Sequence, residues 1–193
     1  MTENQKYLLK IILFLQIMIT FLAYTLIHIF LSPDSNQLWW LPSSRIVNFM
    51  WGAAGAVILL LPVTIYTIFR SNQLQPGLKP LFFLCRQPLS ILVVISLLAG
   101  LGEELLFRGF IQEFMGLWWA AVLFLIPHIG FPLMLPFTVD KIFFSIFYLG
   151  TGLLLGLLAR EVGLAAAITA HSLYDLSAFI LIKKKYIHSN EMI

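Results

Sequence analysis

Ionisable side chains stand inside stretches that are otherwise apolar: His28, Glu103, Glu104, Arg108, His128, His171 and Asp175. A charge at the centre of a membrane helix costs roughly 2.5–3.5 kcal/mol on insertion scales, so such groups face the protein interior and usually act there. A buried set of Glu, His, His and Asp suits three kinds of chemistry. It can activate water for hydrolysis, with glutamate or histidine as general base. It can ligate zinc, for which two imidazoles and a carboxylate are a suitable set. It can relay protons or ions in a transporter. The HExxH helix signature of zinc proteases is absent, and paired halves with broken helices, common in transporters, are not visible.

Spacing separates the roles. Glu104 and Arg108 are four residues apart, on one face of a helix and within ion-pairing reach. Glu103 projects about 100° away from Glu104, so the two carboxylates serve different environments. His171 and Asp175 share a face by the same four-residue rule, as do Phe124 and His128. Helical rise places Glu103 ~22 Å from an inner boundary at Pro88, nearer the outer face. Counted back from outer ends at Gly116 and Val162, His128 lies ~18 Å deep, His171 ~14 Å and Asp175 ~20 Å. These four groups from three spans therefore share one level of the bilayer. The plain alternative is a polar packing network; for a single pair it would be preferred. His28, alone near the end of its span, reads as a snorkelling or packing residue, and Glu113 as one that reaches the interface.

The elements that must hold these groups are membrane helices. Of 193 residues, 60% are hydrophobic and 11% charged, against about 25% charged in soluble domains. The fold class expected is an all-α, polytopic transmembrane bundle of about six spans, near 8–31, 47–69, 88–112, 116–131, 142–160 and 162–182. The fourth is short and carries Pro127, which removes a backbone donor and is expected to kink or end it. The organisation is then two N-terminal helices with an interfacial segment (1–87), a membrane core (88–182) and a short basic tail (183–193). The first apolar run is longer than a cleaved signal's and lacks a small-residue cleavage site, so an uncleaved helix is expected. With six spans both termini lie on one side. Lys6, Lys10, Arg70, Lys79, Arg86, Lys141 and Lys183 to Lys185 then lie inside, and only Arg45 and Arg160 outside. That bias predicts cytoplasmic termini, in an inner or plasma membrane.

Basic residues confined to loops between apolar spans give no nucleic-acid signature. The single Cys85 excludes an intramolecular disulfide and reads as an ordinary thiol. The stretch "QLQPGLKPLFFLCRQP" reads as a segment lying on the cytoplasmic leaflet. Gly152 and Gly156 form the better of two small-xxx-small patterns for close helix packing.

Three ordered motifs, "EELLFR" (EExxxR), "FLIPH" (FxxxH) and "HSLYD" (HxxxN/D), occupy successive motif helices within about residues 88–180. Together they resemble the CPBP family of CAAX-protease and bacteriocin-processing intramembrane proteases, related to the type II CAAX prenyl endopeptidases. The resemblance implies an intramembrane endopeptidase acting on a membrane-anchored peptide or protein in contact with lipid. Carried over by motif, Glu103 activates water, His128 holds or polarises it, and His171 and Asp175 stabilise the oxyanion. Glu104, Arg108 and Phe124 support them. The last motif ends in Asp175 where eukaryotic members have Asn, and Asp donates to an oxyanion only when protonated. Otherwise it orients His171 or binds a metal. The expectation is a metal-free mechanism; in the alternative, Glu103, His128, His171 and Asp175 are zinc ligands. Two other functions stay open: a catalytically idle scaffold or bacteriocin-immunity-type protein, and a small-ion transporter.

Overall fold

The computed structural model describes residues 3–31, 44–69, 83–133 and 139–187, and all regular structure among them is helical. There are six long elements: α1 (Glu3–Phe30), α2 (Arg45–Phe69), α3 (Leu89–Met115), α4 (Leu117–Leu133), α5 (Val139–Glu161) and α6 (Leu164–Ile187). Helix is the form these sequences must take in lipid, because it satisfies every backbone N–H and C=O within the segment. Five of the six are long and apolar enough to cross a membrane, and α4 has a shorter apolar stretch, Leu117–His128. The expected polytopic bundle with a short fourth element is what the chain forms. Helix α4 does not end at Pro127 but continues to Leu133.

Two glycines make the tight reversals that join these helices. Gly116, at φ 86°, is the one residue between α3 and α4, and Gly163, at φ 138°, sits between α5 and α6. Side chains disfavour such φ values, whereas glycine adopts them at no steric cost. The Gly116 N–H returns to the Gln112 carbonyl at 2.8 Å, and the Gly163 N–H to that of Leu158 at 3.0 Å.

Small residues set the helix contacts. A Cβ on Gly152 would lie 3.0 Å from the Ala121 Cα, so α4 and α5 touch backbone to backbone. A Cβ on Gly156 would strike Leu117 and Gln112. The small-xxx-small pattern is therefore the antiparallel α4–α5 seam. Gly52 meets Ala166 and Thr169 while Gly55 meets Ala170, so α2 and α6 run parallel. Gly102 meets Gln16 and Thr20 while Gly109 meets Ile27, so α1 runs parallel to α3.

The interior is layered along the bundle axis. At the end bearing the start of α1 and the close of α6, Leu84, Cys85, Leu92, Ile95, Phe179 and Ile182 form an apolar plug. Toward the other end a larger cluster contains Leu59, Phe107, Phe124, Leu155 and the alanines Ala166, Ala167 and Ala170. Between them lie buried polar groups: Ser96, Glu104, Arg108, His171 and Ser172.

Of the segment expected to lie on the leaflet, the residues before Phe83 fall outside the described residues. Its end does not lie flat: Leu84, Cys85 and Gln87 are buried in the plug. The Lys183 ammonium donates to the Gln87 carbonyl at 2.8 Å, tying this turn to α6. Burial pushes the Cys85 thiol up to about 12, well above its ordinary value.

Candidate functional site

Helix α3 changes its winding where the charges begin. It is α-helical over Leu89–Glu104, π-helical over Leu105–Ile111 and α-helical again over Gln112–Met115. Segments bonded i→i+5 are rare and frequently sit at functional sites. Glu104 and Arg108 are paired across its start: the Arg108 Nη1 donates to Glu104 Oε1 at 3.0 Å, with neither side chain exposed. The other arm of the guanidinium donates to the Gly152 carbonyl of α5 at 3.1 Å. One turn on, Gln112 donates its amide to the Gly156 carbonyl at 3.0 Å. The Arg108 guanidinium also lies 4.3 Å over the Phe124 ring, a favourable cation–π placement.

Glu104 is the junction of this network. The same Oε1 accepts from His171 Nδ1 at 2.7 Å, joining α3 to α6. His171 Nε2 is 3.6 Å from Asp175 Oδ2, so the imidazole lies between two carboxylates from two helices. The sequence pairs His171 only with Asp175; its shorter contact is with Glu104.

Glu103 turns away, as the 100° offset requires. Its Oε2 is 3.5 Å from His128 Nε2 on α4. The other oxygen accepts from the Gln16 amide of α1 at 3.4 Å. His128 Nδ1 lies 2.6 Å from the Phe124 carbonyl, which can only accept, so Nδ1 carries a proton. In the neutral ring Nε2 is then a bare acceptor, facing an acceptor oxygen of Glu103. Two acceptors at 3.5 Å need either a proton on one of them or a donor beside them that reaches both. Phe124, 1% exposed, packs edge-on to Phe107 and is stacked on His128, fixing that ring.

The four motif residues line one cavity of about 190 Å³: Glu103, His128, His171 and Asp175 all contribute to its wall. Tyr148 of α5 and Tyr174 of α6 join them, and Tyr148 lies 4.8 Å from His128, ring to ring. From this level the cavity extends along Tyr66, Thr67, Phe144, Phe179 and Ile182. That direction leads to the end of the bundle holding the start of α1, the Leu84–Gln87 turn and Lys183, not to the nearer outer face suggested by the depth count. The cavity holds enough space for water beside several polar partners.

The remaining intramembrane and boundary groups are elsewhere. His28 is exposed and packs against Tyr24, with ring centres 4.3 Å apart. Glu113 is exposed near the α3 end. As zinc ligands the four cavity residues fit poorly: among the described residues no three His, Cys, Asp or Glu side chains converge on a point that could hold a metal ion. Glu103 with His128 and His171 with Asp175 form separate pairs.

A polar cavity walled by Glu, His, His and Asp within a polytopic helical bundle defines the class. Residues 86–177 match the family model described as type II CAAX prenyl endopeptidase Rce1-like. This segment carries all three motifs, so the match falls on the same residues as the resemblance to the CAAX-protease and bacteriocin-processing family. It is also 28% identical over 144 residues to "Uncharacterized protein YpbD" of Bacillus subtilis (strain 168), covering 74% of this chain and 71% of that one. No solved structure matches the chain.

Proposed function

We propose that this protein is an intramembrane endopeptidase in which Glu103 activates water for attack on a peptide bond of a membrane-anchored substrate. The observation that carries the reading is the facing pair of acceptors, Glu103 Oε2 and His128 Nε2, at the wall of a polar cavity. A water donating one hydrogen to each is oriented with a lone pair toward the cavity. As that lone pair bonds to the carbonyl carbon, Glu103 takes the proton. Glu103 then returns it to the leaving amine nitrogen as the C–N bond breaks. General acid–base transfer of this kind contributes about 10²–10⁴-fold.

His171, carrying hydrogen on Nε2 during the step, supports the oxyanion, and Asp175 supports it directly when protonated or otherwise through His171. Donors fixed before the reaction are effective because they need no reorganisation. Glu104 and Arg108 act by holding His171 and the α3–α5 contact. The chemical step takes no metal in this reading. The cavity opens to the cytoplasm, where Lys6, Lys10, Arg86 and Lys183 gather at its end of the bundle.

Purified protein in proteoliposomes, given a panel of prenylated and unprenylated membrane-anchored peptides, tests the proposal. Cleavage by the native chain should fall by about 10²–10⁴-fold in Glu103→Gln while the fold is kept. Full activity in Glu103→Gln would overturn the assignment. Activity lost to a chelator and restored by zinc would replace the metal-free step.

A further inference from the structure

The base has a partner outside the family's motif segment. Glu103 Oε1 accepts from Gln16 Nε2 at 3.4 Å, and Gln16 lies on α1, beyond residues 86–177. Three features make this contact a built one. Gly102, next to Glu103, has no side chain where a Cβ would come 2.6 Å from Thr20 Oγ1 and 3.2 Å from the Gln16 carbonyl, so α1 seats closely at this point. The Thr20 hydroxyl donates back to the Gln16 carbonyl at 2.8 Å, leaving the Gln16 side chain as the polar group that α1 sends to Glu103. The Gln16 Oε1 is buried without a hydrogen-bond partner, so this amide meets no other described group that would explain its place in the membrane.

We infer that Gln16 is a positioning residue: its amide holds one oxygen of Glu103 so that the other faces His128. The inference rests on the reading of Glu103 as the base. A glutamate side chain has three rotatable bonds, and a carboxylate tethered at one oxygen presents the second in a fixed direction. The other groups around Glu103 cannot substitute for this tether. Arg108 is committed to Glu104 and the Gly152 carbonyl. His128 approaches the opposite oxygen, and His171 and Asp175 face one another. Glutamine also suits both states of a base, since its Nε2 donates to a carboxylate and its Oε1 accepts from a carboxylic acid. Helix α1 is thereby part of the reaction centre and not only a membrane anchor.

Gln16→Met keeps length and removes the donor; Thr25→Val makes a polar-to-apolar exchange on the same helix, at a hydroxyl that bonds only the Phe21 carbonyl and lies away from Glu103. Cleavage of a membrane-anchored peptide should show kcat lower by about 10-fold in Gln16→Met, with KM within about twofold, as expected for loss of a hydrogen bond to a charged group. Thr25→Val should match the native protein, and both variants should melt with it. A second readout needs no substrate. Carbodiimides attack protonated carboxyls, which the lost donor favours, so modification of Glu103, mapped by mass spectrometry, should speed up several-fold in Gln16→Met. Native kcat and native labelling rates in Gln16→Met overturn the inference, as does an equal effect in Thr25→Val. If no peptide is cleaved by the native chain but Gln16→Met still speeds labelling, the tether stands and the protease reading falls.

Discussion

Adjacent carboxylates on α3 should respond oppositely to neutralisation. Glu104 and Arg108 are paired at 3.0 Å with no exposed side-chain surface. Removing one member of such a pair leaves the other as a buried, uncompensated charge, at a cost of about 3–5 kcal/mol. Arg108→Met strands Glu104 with His171 alone, and also frees the Gly152 carbonyl. Glu104→Gln strands Arg108 against a carbonyl and a ring. Combining Arg108→Met with Glu104→Gln removes both charges, so the double variant should lose less than the sum of the singles by about 2–3 kcal/mol. Glu103→Gln is different: the side chain is 16% exposed in a polar cavity, and its contacts are 3.4 and 3.5 Å. It should change stability by no more than about 1 kcal/mol. The assay is reversible unfolding in mixed micelles, titrated with SDS and followed by far-UV circular dichroism. The reasoning is refuted if Arg108→Met costs no more than Glu103→Gln, or if the double variant is additive.

Two further outcomes follow from packing. Gly152→Val pushes α4 from α5 where Ala121 already limits the approach, and should lower stability by about 1–3 kcal/mol in a melting experiment. Gly150→Val, where a side chain meets nothing within 4 Å, is the control and should melt like the native protein. Cys85, buried and with its thiol pushed up to about 12, should react with a maleimide at pH 7.5 at least about tenfold more slowly in folded than in SDS-denatured protein. Equal rates would show that the Leu84–Gln87 turn is not seated in the bundle.

Much of this architecture could be read before any coordinates, because the bilayer imposes a length and a polarity on each helix. Boundaries near Phe69, Gly116 and Glu161 follow from the end of an apolar run. Where a helix runs past its apolar stretch, the cause is common to both ends of the chain. Helix α1 starts at Glu3 and α6 runs on to Ile187, since lysines are good helix formers and their long stems let the ammonium leave the apolar layer. The separation of Glu103 from Glu104 was legible from angular offset alone. The link from Glu104 to His171 was not, because it depends on how α3 and α6 cross. Gln16 and Tyr148 are less legible for a simpler reason: an uncharged polar group in a span costs less to bury than a charge and so marks its place less sharply. A glutamine midway along an apolar helix is the signal that was there to use.

The π-helical stretch of α3 also acts as a gauge of length. Upstream of it, Glu103 must meet α1 and α4; within it Arg108, and just past it Gln112, must meet the Gly152 and Gly156 carbonyls of α5. The same spacing of 44 residues recurs in both of the latter bonds, so the two helices are fastened at two points of one seam. A uniform α-helix from Leu89 to Met115 would reach Gln112 at a different angle, and one end of the helix would lose its partners. Residues 105–111 therefore hold a fixed number of amino acids for a geometric reason, in addition to the contacts that Arg108 and Gly109 make. Shortening that run by one would rotate the acids of "EELL" against the α5 clamp, a change that no single side-chain substitution reproduces.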